Sequence, residues 1–403
     1  MRLADTHHHK TSQRKAPEGE KIIKAGLRKK QVYANREGAS AKRRKQGTRM
    51  SHSEVVETRR VASSRAESPG VQVIAEAGVN HNGCLDTAMA LVDAARECGA
   101  DAVKFQWFKA EQLVTADAAQ ASYQRKACPE DGSQYAMLKR LELGLDDFRR
   151  LAQYSRDSGI EFLASPFDED SVEWLAALDV GCFKVASGEL TNLPLLTRIG
   201  AQGKPVLLST GMSFLGEIEA ALATLSAAGA GDVTVLHCVS EYPAPVDQIN
   251  LAAMDTLAQA FGCPVGYSDH SDGIDIALAA VARGAVVIEK HLTMDTSMAG
   301  PDHAASLDPQ AFLAMVTAIR RIEQALGDGR KRPAPCEQPQ RELVRRSVVA
   351  GRDIDAGEVL AHADLLLKRP GSGLPAAALP QLIGRVARRR IGRDALLDWA
   401  DLT

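Results

Sequence analysis

The chain has few aromatic residues, no long apolar run and no paired arrangement of cysteines. Phe, Trp and Tyr together make up 4% of the 403 residues, so any core must be mostly aliphatic. The sequence has no stretch of about 18 apolar residues, so we expect no membrane span. The seven cysteines are scattered and odd in number, which argues against a disulfide framework and favours reduced thiols in the cytoplasm.

Positive charge is concentrated at the N-terminus and is outweighed by negative charge elsewhere. Residues 1–70 carry 18 Lys and Arg against 7 Asp and Glu, whereas the whole chain has a net charge of −2. This basic extension has too few apolar residues to fold alone, so we expect it to be disordered. A tether to nucleic acid or membrane, a transit segment and a translation start at Met50 are the open interpretations. The acidic remainder argues against nucleic acid as the main partner.

Short apolar runs alternate with helical patterns from residue 71 onward. Eight runs with helices between them predict a closed (β/α)₈ TIM barrel, an α/β fold, over residues 71–326. An open doubly wound sheet is the alternative, because the number of strands alone does not prove closure. The predicted strands are 72–77, 102–106, 161–165, 182–187, 205–210, 233–239, 264–268 and 286–290. The predicted helices are 85–98, 146–158, 168–178, 214–228, 250–261, 273–283 and 309–326.

Two segments depart from this alternation. Residues 107–145 (the insertion) are too many for an ordinary loop, and an extended βα loop usually covers the active site of a barrel. After the last barrel helix, Gly and Pro residues indicate a linker over 327–344. Residues 345–403 then show short apolar pieces separated by turn signals, which is typical of a small mixed or β-rich domain.

Two histidines follow successive predicted strands. His270 ends the triplet Ser268-Asp269-His270, and His291 ends Glu289-Lys290-His291. Because the carboxyl ends of barrel strands share one face, both imidazoles can point into the same cleft. Two neutral imidazoles facing each other suit a divalent metal. The alternative is two unrelated histidines in loops at the strand ends.

Two lysines lie within apolar strands. Burying the ammonium groups of Lys104 and Lys184 is costly without an anionic partner, so we expect them to hold a phosphate or a carboxylate. A Schiff base on one lysine is the alternative chemistry. Glu76, at the end of the first predicted strand, could move a proton. Cys238 follows His237, but adjacent strand residues point to opposite faces, so we interpret it as a buried thiol rather than a nucleophile.

Several of these residues stand in motifs that resemble the sialic acid synthase family. The motifs are Ala75-Glu76-Ala77-Gly78-Val79-Asn80-His81-Asn82-Gly83, Val103-Lys104-Phe105-Gln106, Ser165-Pro166-Phe167, Lys184-Val185-Ala186-Ser187-Gly188-Glu189, Leu208-Ser209-Thr210-Gly211-Met212, Tyr242-Pro243, Ser268-Asp269-His270, Glu289-Lys290-His291 and Gly300-Pro301-Asp302. The tail motif Lys368-Arg369-Pro370-Gly371-Ser372-Gly373 resembles that of the antifreeze-like SAF domain. The resemblance implies a TIM barrel followed by a SAF domain.

The resemblance also implies roles for individual residues. His270 and His291 would bind a divalent metal, Mn²⁺ in the first place, with Mg²⁺ or Co²⁺ as alternatives. The catalytic residues would be Glu76, Lys104, Lys184 and Arg369, with Arg369 reaching the barrel of the partner in a domain-exchanged homodimer. The substrate-binding residues would be Gln106, Ser165, Ser187, Glu189, Ser209, Ser240, Tyr242, Ser268 and Asp302.

The resemblance further implies a transferase that condenses phosphoenolpyruvate with an N-acetylated mannosamine-type sugar. The product with N-acetylmannosamine would be N-acetylneuraminate. Ser240 stands where some N-acetylneuraminate synthases have Asn, and other motifs look like the legionaminic acid branch. An N,N'-diacetyllegionaminate synthase acting on a 2,4-diacetamido-2,4,6-trideoxy sugar is therefore an alternative. A deoxy-sugar-phosphate synthase and a binding protein with a decayed barrel are the further alternatives.

Overall fold

The structure of the protein is a computed structural model, and it describes residues 70–403. The basic extension predicted over residues 1–70 lies outside the described residues except for Gly70, and so does the alternative start at Met50. Within residues 70–403, no helix has both the length and the apolar character needed to cross a membrane.

Eight parallel strands form the first part of the structure. The strands are β1 (Gln72–Gly78), β2 (Ala102–Trp107), β3 (Glu161–Pro166), β4 (Phe183–Val185), β5 (Val206–Ser209), β6 (Val233–Cys238), β7 (Val265–Asp269) and β8 (Val287–His291). Their order is β3-β2-β1-β8-β7-β6-β5-β4, so the first and last strands pair with each other. The sheet curls until β3 and β4 pack together, although no ladder of backbone hydrogen bonds joins them within the described residues. The prediction of a TIM barrel is confirmed.

The strands are apolar on both faces because the barrel buries both. Side chains on the outer face pack under the helices in one large aliphatic core. Side chains on the inner face form a separate layer inside the barrel, made of Ile74, Ala102, Leu163, Cys182, Leu207, Leu236 and Val287. Gly266 completes this layer, because a Cβ there would lie 2.6 Å from Leu236 Cδ2 and 2.7 Å from the carbonyl oxygen of Val287.

Helices cover the outside of the barrel. They are α1 (Leu85–Glu97), α5 (Leu145–Ser158), α6 (Glu169–Ala177), α7 (Leu193–Gly200), α8 (Leu215–Ala228), α9 (Ala253–Phe261), α10 (Asp275–Arg283) and α11 (Pro309–Leu326). Helix α6 is capped by Asp168, whose carboxylate accepts a hydrogen bond from the backbone N–H of Ser171 at 2.7 Å. Helix α7 was not among the predicted helices; it has only eight residues and is capped by Asn192.

The insertion is structured rather than irregular. It contains α2 (Ala110–Leu113), α3 (Ser122–Ala127) and α4 (Gln134–Leu141), which precede α5. Val79, Phe108, Met137 and Leu141 belong to its own apolar cluster. The insertion therefore forms a small layer at the carboxyl ends of the barrel strands, where its side chains line the cavity described below.

The C-terminal part has its own apolar core. Helix α12 (Gln338–Val344) occupies the end of the predicted linker, which is therefore not wholly irregular. Strands β9 (Ser347–Ala350) and β10 (Leu365–Lys368) pair in antiparallel fashion, and the short helix α13 (Leu379–Leu382) follows. Buried aliphatic residues such as Val348, Leu360 and Ile391 form the core of this part. The expectation of a small, partly β domain matches this arrangement.

Candidate active site

A cavity of about 460 Å³ opens at the carboxyl ends of the barrel strands. Its wall on the barrel side is polar, whereas the insertion contributes mainly apolar side chains. The apolar part includes Val79, Leu113, Val114, Met137, Leu138 and Leu141. The cavity thus has one half suited to charged groups and one half suited to apolar groups.

The polar half follows from the two-residue period of the strands. Each inward-facing apolar residue of the inner layer is followed, two positions later, by a side chain that lines the cavity. These side chains are Glu76, Lys104, Ser165, Lys184, Ser209, Cys238, Ser268 and Glu289. The same alternation continues one step further on six strands, where Gln106, Phe167, Ala186, Ser240, His270 and His291 line the cavity.

Four ionisable groups form what we call the charged floor: Glu76, Lys104, Lys184 and Glu289. Lys104 Nζ lies 2.7 Å from Glu76 Oε2 and 3.6 Å from Glu289 Oε2, while Lys184 Nζ lies 3.3 Å from Glu289 Oε1. Ser268 Oγ donates a hydrogen bond to Glu289 Oε1 at 2.7 Å. Each lysine therefore already has a carboxylate partner in the protein itself, which the sequence analysis did not foresee.

The two lysines of the charged floor differ in their pKa shifts. Burial opposes the charge on Lys104, but Glu289 and Glu76 outweigh burial and raise the pKa of Lys104. The pKa of Lys184 is lowered, and burial is the main cause. The attraction of Glu289 compensates for burial only in part, and repulsion from Lys104 lowers the pKa further. Burial disfavours the carboxylate of Glu289, yet Lys104 and Lys184 hold its pKa well below the usual range of a glutamate. Glu289 is therefore ionised and links both lysines.

The two histidines lie next to each other above the charged floor. The ring centroids of His270 and His291 are 5.5 Å apart. Burial is the largest cause that lowers the pKa of both rings, to about 4 for His270 and about 3 for His291. Both imidazoles are therefore neutral at pH 7, which is the state that can bind a metal.

The nitrogen atoms of these rings fit a metal site. His270 Nδ1 lies 2.7 Å from the carbonyl oxygen of Val239, an arrangement that leaves Nε2 free as a ligand. His291 Nδ1 is buried without a hydrogen-bond partner. Among residues 70–403, no group of three or more His, Cys, Asp or Glu side chains is arranged for a metal, so the two imidazoles are the candidate side-chain ligands.

Two tyrosines and an aspartate complete the cavity beside the histidines. The ring of Tyr242 lies 4.2 Å from that of His270, and the ring of Tyr123, from the insertion, lies 5.0 Å from that of Tyr242. Burial, with a further contribution from Glu76, raises the pKa of Asp302 to about 7. Asp302 therefore changes its charge near neutral pH.

Two family models match this chain. The model of the NeuB family matches residues 91–331, and that of the SAF domain matches residues 345–403. The chain belongs to the NeuB family. The match to the second model confirms the predicted SAF domain of this NeuB-family protein.

Two relatives are synthases by name. The N,N'-diacetyllegionaminic acid synthase of Campylobacter jejuni is 47% identical over 327 residues, which cover 81% of this chain and 98% of that protein. The corresponding synthase of Legionella pneumophila is 44% identical over 339 residues, which cover 83% of this chain and 95% of that protein. The expectation of an enzyme of the sialic acid and legionaminic acid synthase class is confirmed.

A solved structure supports the same assignment. The N-acetylneuraminic acid (sialic acid) synthetase of Leptospira borgpetersenii, crystallised with citrate, is 35% identical and superposes with a TM-score of 0.60. The similarity covers 68% of this chain and 90% of that chain.

The barrel residues that the sequence analysis selected all line the same cavity of the NeuB-family chain. They are Glu76, Lys104, Gln106, Ser165, Lys184, Ser187, Glu189, Ser209, Ser240, Tyr242, Ser268, His270, His291 and Asp302. Arg369 does not line it, and its side chain is exposed on the C-terminal domain of its own chain. The individual roles of these residues stay predictions.

The sequence analysis overlooked two residues of the site. Glu289 was named at a strand end but given no role, although the strand period places it on the same face as His291. Tyr123 lies in the insertion, where no strand marks which side chains face inward.

Cys238 is buried in the cavity wall, and its Sγ lies 3.0 Å from Ser187 Oγ.

Proposed function

We propose that this NeuB-family protein condenses phosphoenolpyruvate with the aldehyde of a neutral, N-acetylated mannosamine-type sugar. The observation that carries the proposal is the arrangement in one cavity of two buried lysines, a set of serines and two neutral imidazoles. The products are a nine-carbon 2-oxo sugar acid and phosphate, and water supplies the oxygen of the new oxo group.

The charged floor is the proposed binding place for phosphoenolpyruvate. Lys104 and Lys184 present ammonium groups to the phosphate and carboxylate, and the nearby serine hydroxyls can donate hydrogen bonds to the same oxygens. Ser187 also accepts a hydrogen bond from the backbone N–H of Gly211 at 2.9 Å, which fixes its hydroxyl near the cavity. A Cβ at Gly211 would lie 2.2 Å from Ser240 Oγ, so only glycine allows this approach.

His270 and His291 are the proposed ligands of a divalent ion, Mn²⁺ in the first place. Such an ion, when bound, supplies polarisation of an aldehyde oxygen. The sugar carbonyl would then lie between these rings and the charged floor. The carbon–carbon bond forms between C3 of the enol and the aldehyde carbon, water adds at C2, and cleavage of the C2–O bond releases phosphate.

Glu76 is the proposed proton carrier at the reacting carbons. Gln106 Nε2 donates a hydrogen bond to Glu76 Oε1 at 3.0 Å, and Lys104 pairs with Oε2 at 2.7 Å. Both contacts hold the carboxylate at the point where phosphoenolpyruvate and the aldehyde would meet. Glu76 can therefore move a proton at Oε2 only by exchanging its contact with Lys104.

The cavity favours a 2,4-diacetamido-2,4,6-trideoxy acceptor. Among the described residues, Lys104 and Lys184 are the Lys and Arg side chains that line the cavity, so a second phosphate on the acceptor would lack a basic pocket. The apolar wall from the insertion suits a methyl group and acetyl methyls rather than several hydroxyls. Relatives named N,N'-diacetyllegionaminic acid synthase support this choice. N-acetylmannosamine is the second candidate.

A panel of acceptors tests the reaction. The protein is incubated with phosphoenolpyruvate and one of three acceptors: the diacetamido sugar, N-acetylmannosamine or N-acetylmannosamine 6-phosphate. Each reaction is run with Mn²⁺ and with excess chelator, and the products are identified by mass spectrometry. We expect phosphate release only with Mn²⁺, and the highest kcat/KM with the diacetamido sugar. Equal activity after exhaustive chelation would refute the metal assignment, and preference for the phosphorylated sugar would refute the acceptor assignment.

Arg369 is proposed to act in the cavity of a partner subunit in a domain-exchanged homodimer. The support is that Arg369 is exposed on its own chain while apolar side chains near the cavity mouth are uncovered. Met212, which lines the cavity, is 72% exposed, and nearby Phe214 is 83% exposed.

Mixing two inactive variants tests the exchange. In a mixed dimer of Arg369→Ala and His270→Ala chains, one of the two cavities has an intact barrel and an intact partner arginine. We expect refolded equimolar mixtures to recover about a quarter of the wild-type activity, from the statistics of a two-fold dimer. No recovery, with dimers confirmed by sedimentation, would show that Arg369 acts within its own chain, and an Arg369→Ala variant that is active by itself would show that Arg369 is not catalytic.

A further inference from the structure

An ion pair lies directly behind the two histidines. Asp269 and Lys290 immediately precede His270 and His291 in the chain, and they are register partners on the neighbouring strands β7 and β8. Lys290 Nζ lies 2.8 Å from Asp269 Oδ2, and both side chains are 0% exposed. Because strand residues alternate between faces, this pair lies on the outer face of the sheet while the histidines face the cavity.

The pair ties the backbone on both sides of His270 to strand β8. Lys290 also donates to the carbonyl oxygen of Ser271, the residue after His270. Asp269 Oδ1 in turn accepts hydrogen bonds from Ser271 N at 2.9 Å and from Ser271 Oγ at 2.6 Å. The three side chains therefore form a closed set of contacts around the turn that carries His270.

Stability alone gives a weak reason for such a pair. Taking two charges out of water costs several kcal/mol per ion, and apolar residues of similar volume often replace a buried pair without loss. A metal site, in contrast, requires its ligand atoms within about 0.2 Å of their bonding distances. A charged link between the two strand ends can fix the separation of the two histidines, on which metal binding depends.

We propose that Asp269, Lys290 and Ser271 are positioning residues that set the separation of His270 and His291 for a divalent ion. None of the three touches the cavity, so they act only through the two strand ends. The inference deepens the proposed function, because it requires that the histidine pair binds a metal.

The test is a double variant that removes both charges and keeps the side-chain volumes. In Asp269→Asn/Lys290→Met, the amide oxygen can still accept the hydrogen bonds from Ser271, and no unpaired charge remains. We expect metal-free variant protein to bind Mn²⁺ at least about 10-fold more weakly by calorimetry and by electron paramagnetic resonance. The melting temperature, and the KM for phosphoenolpyruvate measured at saturating Mn²⁺, should stay at their wild-type values.

Two further variants complete the design. Ser271→Ala leaves both buried charges paired, so we expect it to fold even if the double variant does not, and it should weaken Mn²⁺ binding about 10-fold, the lower end of the range for such partners. The control is Asp179→Asn/Lys204→Met, which removes the same charges from a surface ion pair at 2.6 Å that does not line the cavity, and it should leave Mn²⁺ binding unchanged.

The outcomes separate this inference from the proposed function. Unchanged Mn²⁺ affinity in folded Asp269→Asn/Lys290→Met, or in Ser271→Ala if the double variant does not fold, would overturn the positioning role alone. Wild-type protein that binds no divalent ion would overturn the metal assignment and this inference with it.

Discussion

Replacement of Glu289 by glutamine tests the charged floor most directly. The carboxylate of Glu289 lies 3.3 Å from Lys184 Nζ and 3.6 Å from Lys104 Nζ. Glutamine has nearly the same size and can still accept the hydrogen bond from Ser268. The variant therefore removes the negative charge that the two lysines share while changing little else, and it leaves Lys104 with Glu76 alone and Lys184 without a carboxylate.

The expected loss of stability follows from these distances. Two unit charges 3.3 Å apart interact by about 5 kcal/mol at an effective dielectric constant of 20. Removal of one partner from a buried ion pair costs about 3–5 kcal/mol, because the remaining charge stays buried without compensation. We therefore expect Glu289→Gln to lower the free energy of unfolding by about 3–5 kcal/mol at pH 7.

Urea unfolding followed by circular dichroism measures this loss. Glu219→Gln, on an exposed face of helix α8, is the matched control and should change stability by less than about 0.5 kcal/mol. Saturating phosphoenolpyruvate should stabilise Glu289→Gln more than wild type, because the bound anion replaces the missing carboxylate. A Glu289→Gln variant as stable as the Glu219→Gln control would refute the account of the charged floor.

The pH dependence of the same measurement has a definite sign. Lys104 and Lys184 depress the folded-state pKa of Glu289 against the effect of its burial. The contribution of Glu289 to the free energy of unfolding is therefore fully present above the pKa of an unfolded glutamate, about 4.3. It is lost as the pH falls through the depressed pKa of Glu289 in the folded protein. The difference between wild type and Glu289→Gln should accordingly shrink below about pH 4.

Three further changes test other parts of the cavity. His270→Ala should weaken Mn²⁺ binding at least about 100-fold and abolish turnover; unchanged turnover would remove His270 from the site. The raised pKa of Asp302 favours its protonated form in the folded protein, so wild type should lose stability as the pH rises from about 4 to about 7. The free energy of unfolding of Asp302→Asn relative to wild type should therefore increase over this range and stay constant above it. A difference in urea unfolding that is the same at every pH would contradict this. Tyr123→Ala should raise the KM for the acceptor about 10-fold and leave that for phosphoenolpyruvate unchanged, since its ring packs on Tyr242; equal shifts in both would assign Tyr123 a purely structural role.

The barrel could be predicted because its strands are buried on both faces. Continuous aliphatic runs identify such strands without any knowledge of their neighbours, and each of the eight predicted runs overlaps an observed strand. Helix α7 could not be predicted from its periodicity, because eight residues form only about two helical turns. Its stability comes from packing, since Leu195, Leu196 and Ile199 are buried against the rest of the barrel. The cap at Asn192 and the proline that follows were its only local signals.

The site could be predicted where a strand gives the direction of its side chains. Residues two positions beyond an inward-facing apolar residue point into the cavity, which applies to Lys104, Lys184 and Ser209. The same rule identifies Glu289, but the sequence analysis assigned the lysines an external anion and did not look for a carboxylate inside the barrel. Tyr123 could not be found in this way, because its orientation depends on how the insertion folds over the cavity.

The balance of charge in the cavity links substrate binding to the metal. The charged floor contains two ammonium groups and two carboxylates, so it presents almost no net charge to an entering ligand. Phosphoenolpyruvate carries about −2.5 to −3 at pH 7, from one carboxylate and one phosphate monoester. Positive charge must therefore come from elsewhere, and a divalent ion at His270 and His291 together with Arg369 of a partner subunit would supply about +3.

Binding of phosphoenolpyruvate should consequently depend on the metal even in the absence of acceptor. We expect calorimetric titrations to show that phosphoenolpyruvate binds at least about 10-fold more weakly after the metal has been removed with a chelator. Because coupling between two ligands is reciprocal, phosphoenolpyruvate should tighten Mn²⁺ binding by the same factor. The Glu289→Gln variant provides the internal control, because removal of one negative charge from the charged floor should reduce this dependence. Binding that is equally tight with and without Mn²⁺ would mean that the lysines exchange their carboxylate partners for the substrate unaided, and the charge balance proposed here would be wrong.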